Sequence, residues 1–503
     1  MKSTIGGLSS TDSLDLIAHL VDQSCDNADI SLAKHALQLA DKLEPRLQSS
    51  ELALLDYFRA NAWACQYQYL RSDRAAIWDF EQPEICKQVL FLRRAANSPG
   101  FALLNALQRC QILTSLGSQL NTLGRCVEAQ ALWGAALAID PNFWMARANR
   151  GHGLMFYAGA LYDPGHQEVM AFHAHRDFVK AVALIARYPH LGDYRLAISF
   201  SRHAEQITQH YDIEAISNAY KPDGWDMGLE STERAYRRWC LDNVLFLNPL
   251  NDVETAWIAA NDIIGLPTFT TEDKGLPLVV GMFNELKQGF ASARWMLWDG
   301  IRPGEPHFSD HEVLLYNTFD SPSYGLPVEK VKIAFRLAYS LLDKIAYFLN
   351  HYLGLGIPER GVSFRNIWRE KGKPVREHFA KSENWPLRGL FWLSQDLFEE
   401  GMKNSTEPEA RNLADLRNHL EHRHIKVHGT PSSSKAYSNP VHDTLIYAIT
   451  RSDLEQRTLR LIQLVRSALI YLSLGMHRRK RERAKTNGVV SMPLEPLRDD
   501  WKR

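Results

Sequence analysis

Between residues 328 and 353, Val331, Phe335, Ala338, Leu342, Ile345 and Leu349 recur three or four positions apart. That period sets all six on one face of a helix and does not fit a strand. A second stripe, Leu461, Val465, Ala468 and Leu472, runs through residues 452–485. This segment opens on Ser452-Asp453-Leu454-Glu455, read as a capping box in which serine and glutamate satisfy each other's end amides. Helices this long must bury their stripes on one another, so a bundle is predicted, with further helices over 283–298, 385–400 and 408–426. The first 210 residues keep the helical period, with few Val/Ile alternations and turns marked by Pro or Gly. The fold class is therefore all-α. Lys221-Pro222-Asp223-Gly224, Asn248-Pro249-Leu250-Asn251 and Gly265-Leu266-Pro267 cut the region between into short pieces. The expected division is a helical repeat region at 1–210, an irregular connector at 211–274, a bundle at 275–485 and a tail at 486–503.

Composition narrows the function classes. Lys+Arg 58 balances Asp+Glu 58, with 45% hydrophobic and 23% charged residues, so any nucleic-acid binding must come from a local patch. No uninterrupted apolar run approaches the roughly 20 residues of a membrane span, and Met1-Lys2-Ser3-Thr4 does not lead into a signal peptide. A cytoplasmic location without membrane partners is the expectation. Cys25, Cys65, Cys86, Cys110, Cys126 and Cys240 are widely and irregularly spaced with no CxxC pair, and read as buried small hydrophobes.

Leu113, Leu116, Gly117, Leu120, Ala129, Trp133, Ala136 and Pro141 are spaced as in one tetratricopeptide (TPR) repeat, in which small residues let two helices approach and proline closes the unit. Ala33, Leu37, Ala40 and Pro45 echo its second helix. The first 210 residues thus resemble degenerate TPR repeats, which implies an extended surface for a protein partner; a scaffold that only packs against the rest is the alternative.

Histidine density peaks at Arg417-Asn418-His419-Leu420-Glu421-His422-Arg423-His424-Ile425-Lys426-Val427-His428, where six of twelve residues are His or Arg. His419 and His422, and His424 and His428, have helix-face spacing, but no Cys, paired carboxylate or HExxH completes a metal set. A solvated basic helix end is another reading. The arrangement Arg-x4-His alone carries nothing: 38 Arg and 19 His in 503 residues give about 1.4 occurrences by chance, and four exist, starting at Arg147, Arg302, Arg417 and Arg423. Requiring asparagine after the arginine lowers the chance expectation to about 0.06, and Arg417 alone meets it.

Arg417-Asn418-x-x-x-His422 resembles the Rx4-6H motif of the HEPN superfamily, whose members are small helical bundles and often metal-independent endoribonucleases; His424 also fits the looser end of that spacing. The runs Leu341-Leu342-Asp343-Lys344-Ile345-Ala346-Tyr347-Phe348-Leu349-Asn350 and Asn384-Trp385-Pro386-Leu387-Arg388 extend the similarity, which covers roughly 275–477. The resemblance implies a HEPN-like bundle that cuts RNA without a metal or other cofactor, in the manner of toxin or phage-defence proteins. Arg417 and His422 would be the catalytic pair, with Asn418 supporting, and two protomers would meet through the bundle to build a composite site. Histidine can move a proton near neutral pH and arginine can fork onto a phosphate. Five residues along a helix turn about 140° beyond a full circle, so Arg417 and His422 of one chain are not stacked, while Asn418 and His422 are neighbours. Asp343, a carboxylate in an otherwise apolar helix, would orient His422 or Arg417, or else sit on the solvent face. Arg478, Arg479, Lys480, Arg481, Arg483 and Lys485 oppose only Glu482, a run that can grip phosphates or form a solvated helix end. Two rival readings are a non-catalytic TPR/HEPN protein that binds RNA, nucleotide or a protein, and a metal-dependent hydrolase.

Overall fold

The computed structural model describes residues 7–70, 75–188, 193–222, 224, 226–270, 276–316, 320, 322–370, 372–398, 410–429, 446–482, 491–492 and 495–502. Arg483 and Lys485, and the expected helix limits at 400 and 408, lie outside them. The chain is all-α apart from short two-stranded sheets, and its contacts divide it into two compact units. The first comprises Met1–Pro222, Asp252–Glu254 and Val375–Arg411; the second comprises Asp223–Asn251, Thr255–Pro374 and Asn412–Arg503.

The first unit opens with ten helices: α1 (Ser10–Asn27), α2 (Ile30–Leu43), α3 (Ser49–Leu70), α4 (Pro83–Asn97), α5 (Ala106–Thr122), α6 (Cys126–Ile139), α7 (Trp144–Ala160), α8 (Pro164–Arg187), α9 (Tyr194–His210) and α10 (Ile213–Ala219). Side-chain caps set several starts, including Asp29 for α2, a reciprocal Asn105/Gln108 box for α5 and Asp163 ahead of Pro164 for α8. From α1 to α9 each helix packs against the next along the chain, and α1 also meets α3 and α5 meets α7. Trp133 is buried between α5 and α7 because both offer glycine: a Cβ at Gly117 would lie 2.8 Å from the indole nitrogen, and one at Gly153 would lie 2.2 Å from the ring. The indole N–H donates to the Thr114 carbonyl at 3.2 Å.

Two cysteines depart from the sequence expectation. Cys25 on α1 and Cys65 on α3 form a disulfide that closes 40 residues, their Cα atoms 5.2 Å apart. The packing of α1 against α3 brings them together, and spacing along the chain carries no record of it. Cys86 is half-buried, and Cys110, Cys126 and Cys240 are buried.

In the second unit, α11 (Ser231–Asp242) leads into an irregular stretch, then α12 (Leu276–Ile301) and α13 (Leu326–Tyr352). The chain next supplies the first unit with α14 (Glu377–Ala380) and α15 (Trp385–Phe398). Asp396 on α15 takes a two-pronged bond from Arg93 at 2.8 and 2.7 Å, and another from Arg125. The second unit resumes with α16 (Ala410–His422), β2 (His424–His428), β3 (Ile446–Thr450) and α17 (Arg451–Glu482); a small pair, β1 (Phe269–Thr270) with β4 (Ser491–Met492), completes it.

The apolar stripes do what their period dictates: α12, α13 and α17 pack on one another, with Val331, Phe335, Ala338, Leu342, Ile345 and Leu349 buried against Leu461, Val465, Ala468 and Leu472 in the same core. Helix α17 is long and apolar enough to cross a membrane by length and composition, but 83% of its apolar window is buried inside the fold. Its buried Arg466 donates to the Phe246 and Asn248 carbonyls at 2.5 and 2.9 Å, tying the irregular stretch to the core. The expected Ser452 capping box does not form. Helix α17 starts one residue earlier, Thr450 Oγ1 accepts the Asp453 amide at 3.0 Å, and Glu455 pairs with Arg451 at 2.7 Å.

Candidate functional site

Helix α16 carries Arg417, Asn418 and His422. Leu413, Leu416 and Leu420 are its buried stripe, so Arg417 falls at the margin of the buried face while Asn418 and His422 are exposed. The helix ends at His422, four residues short of the sequence expectation. After Arg423, His-Ile-Lys-Val-His switches to period two, with Val427 buried, and forms a parallel ladder from His424↔Ile446 to His428↔Thr450. The Ser323 amide donates to the Val427 carbonyl at 2.6 Å on the other edge of β2, and Lys426 pairs with Asp320 at 2.6 Å. This clamp fixes the C-terminal end of α16, and therefore the place of His422. His424 and His428 consequently lie on a strand, not on a helix face.

Arg417 points toward α13. Its guanidinium lies over the Tyr339 ring, 5.7 Å from the centroid, and Nη1 donates to Asn418 Oδ1 at 3.2 Å. No carboxylate pairs with Arg417 among the described residues. Tyr339 is backed by Phe335, whose ring is stacked at 6.3 Å. Burial pushes the Tyr339 phenol up to about 12; Arg417 opposes that shift and Asp343 adds to it. Near neutral pH the phenol is therefore protonated, and serves as an aromatic shelf rather than a base. One turn away, Arg336 donates to the Leu420 carbonyl and reaches Glu421 at 3.5 Å. Residues 336 and 339 thus meet 420–421 and 417 in reverse order, so α13 and α16 run antiparallel here.

Asp343 is four residues beyond Tyr339, and its Oδ1 accepts the Phe364 amide at 3.0 Å. It anchors the backbone at Phe364 and acts electrostatically on Tyr339; no hydrogen bond or ion pair joins it to Arg417 or His422 among the described residues. His422 makes no such bond there either. His419, three residues earlier, donates from Nδ1 to the Asp415 carbonyl at 2.7 Å. Its ring lies 4.8 Å from Tyr447 of β3, whose hydroxyl accepts from Arg457 of α17 at 2.6 Å. Among the described residues, no group of three His, Cys, Asp or Glu is arranged to hold a metal ion.

The structure thus brings Arg417, Asn418, Tyr339 and Asp343 into one neighbourhood and leaves His422 at the exposed helix end. Residues 270–479 match the family model described as LA2681-like HEPN. The match covers 210 of 503 residues, includes α12, α13, α16 and α17, and supports the HEPN superfamily for this segment. Neither the curated proteins nor the solved structures compared with the chain gave a match. Sequence reasoning missed Tyr339, Arg336, Tyr447 and Arg457 as the surroundings of residues 417–422. Tyr339 shares a helical face with Asp343 and Tyr347, a visible regularity, but nothing along the chain connects it to Arg417.

Proposed function

We propose that this protein is a metal-independent endoribonuclease of toxin or phage-defence type, with Arg417 and His422 as its catalytic residues. The observation that carries the reading is a half-exposed guanidinium with no carboxylate partner among the described residues, on the same family-matched helix as the exposed His422. A paired arginine would already be neutralised; this one has its charge free for a phosphate. It is also pre-aimed, because Tyr339 supports the guanidinium plane and Asn418 holds one of its nitrogens.

In the proposed reaction the ribose 2′-oxygen bonds to phosphorus and the P–O5′ bond breaks, leaving a 2′,3′-cyclic phosphate and a 5′-hydroxyl. One histidine takes the 2′-hydroxyl proton, a second gives a proton to O5′, and Arg417 stabilises charge on the non-bridging oxygens. Two histidines are supplied if two copies meet through the C-terminal bundle, which helical geometry favours because Arg417 and His422 of one chain diverge. The TPR-like reading of residues 1–210 belongs to the same proposal: the helix array would bind a protein partner that controls cleavage, in a cytoplasmic setting.

The test incubates pure protein with RNA in EDTA. Wild type should cut and leave 2′,3′-cyclic phosphate ends. His422→Ala and Arg417→Ala should each lose about 10² to 10⁴ in rate. Arg423→Ala and His428→Ala, which share the bare spacing without the asparagine, should keep activity. RNA binding without cutting would favour the non-catalytic interaction reading, and equal loss in the control pair would show the wrong residues.

A further inference from the structure

His419 and Tyr447 have no part in the proton and phosphate chemistry above, yet they are held as a rigid pair beside it. The ring centroids are 4.8 Å apart with planes inclined by 30°, and both side chains are half-buried, not sealed in the core. Each ring has its own polar tether. The Asp415 carbonyl can only accept, so the His419 proton sits on Nδ1 and the ring is locked to its own helix at 2.7 Å. The Tyr447 hydroxyl accepts from Arg457 at 2.6 Å, locking the second ring to α17. The ladder pair Ile425↔Tyr447 sets the height of Tyr447 relative to β2, which follows α16 directly. His419 and His422 are three residues apart and share a helix face.

We propose that His419 and Tyr447 form a nucleobase-stacking subsite that takes one unpaired base of single-stranded RNA next to the scissile phosphate. This rests on the RNA reading of the same site and adds the substrate class: single-stranded rather than duplex RNA. Bases in a duplex are already stacked on each other, whereas an unpaired base can lie on a protein ring. Tethering both rings in advance lowers the ordering cost of binding, and leaves the phosphate-directed Arg417 on the α13 side of the helix.

The test measures binding of the full chain, in EDTA, to a fluorescein-labelled single-stranded 2′-O-methyl RNA, which has no free 2′-hydroxyl and cannot be cut. Tyr447→Leu and His419→Leu retain apolar bulk and remove the ring; each should weaken binding about 5- to 150-fold. Tyr447→Phe keeps the ring and should stay within about twofold of wild type. Thermal melts of the variants identify any loss caused by unfolding, and if one Leu variant melts the other carries the test. In cleavable RNA the defect should fall on KM more than on kcat. Wild-type affinity in both Leu variants, or duplex RNA bound as tightly as single strands, would overturn the subsite while leaving the nuclease reading intact. Ring-dependent binding in a protein that never cuts RNA would support the subsite and defeat the nuclease reading. A wild type that binds no RNA would overturn both.

Discussion

Asp396 gives the sharpest test of how the chain is assembled. It is buried on α15 and holds two buried arginines from far earlier in the sequence, Arg93 through two hydrogen bonds and Arg125 through one. Arg125 also pairs with Glu128 at 2.7 Å, and Asp396 is shared between two buried cations. Asp396→Ala removes the carboxylate that the two buried guanidiniums share. Breaking a buried pair by removing one partner costs about 3 to 5 kcal/mol, because the remaining charge cannot regain water. At roughly 2 to 4 °C per kcal/mol for a unit of this size, the first unit's Tm should fall by about 6 to 20 °C in calorimetry. Arg93→Leu/Asp396→Leu removes one charge of each sign and leaves Arg125 with Glu128, so it should cost less than Asp396→Leu alone. A shift below about 2 °C in Asp396→Ala, or a double variant worse than the single one, would refute the charge-balance argument.

Three other predictions address chemistry and assembly. Burial, with His203 4.6 Å away ring to ring, lowers His152 from 6.5 to about 4, so the unfolded chain binds the proton first. Stability of the first unit is therefore fully present above about pH 6.5 and falls toward pH 4; His152→Phe should flatten that decline in melts at several pH values, and an unchanged slope would count against it. The Cys25–Cys65 disulfide closes 40 residues, so reduction, or Cys25→Ser, should lower unfolding stability by roughly 4 kcal/mol in the chain-entropy picture. Thiol titration of the denatured, unreduced chain should count four free cysteines out of six, and six would refute the bond. The composite site predicts a dimer through the C-terminal bundle; light scattering that shows an active monomer at micromolar concentration would remove it.

Helical periodicity is a local property, and it was readable. The stripes in α13 and α17 predicted both helices to within about three residues at each end, and the all-α class with them, because a period of 3.6 follows from backbone geometry alone. The pattern Arg417-Asn418-x-x-x-His422 stands out along the chain for a statistical reason: its chance expectation is far below one. What surrounds that motif was not legible. Helix α16 stops at His422 because residues 424–428 find ladder partners at 446–450 and at Ser323, and a short run with both β-branched and polar residues takes whichever structure its neighbours complete. Tyr339 meets Arg417 across 78 positions of chain, Cys25 meets Cys65 across 40, and Asp396 meets Arg93 across 303. Such meetings are set by which faces pack. A charged or aromatic residue acquires its role there from the groups that exclude water around it, and those groups are chosen by the tertiary fold rather than by sequence neighbours.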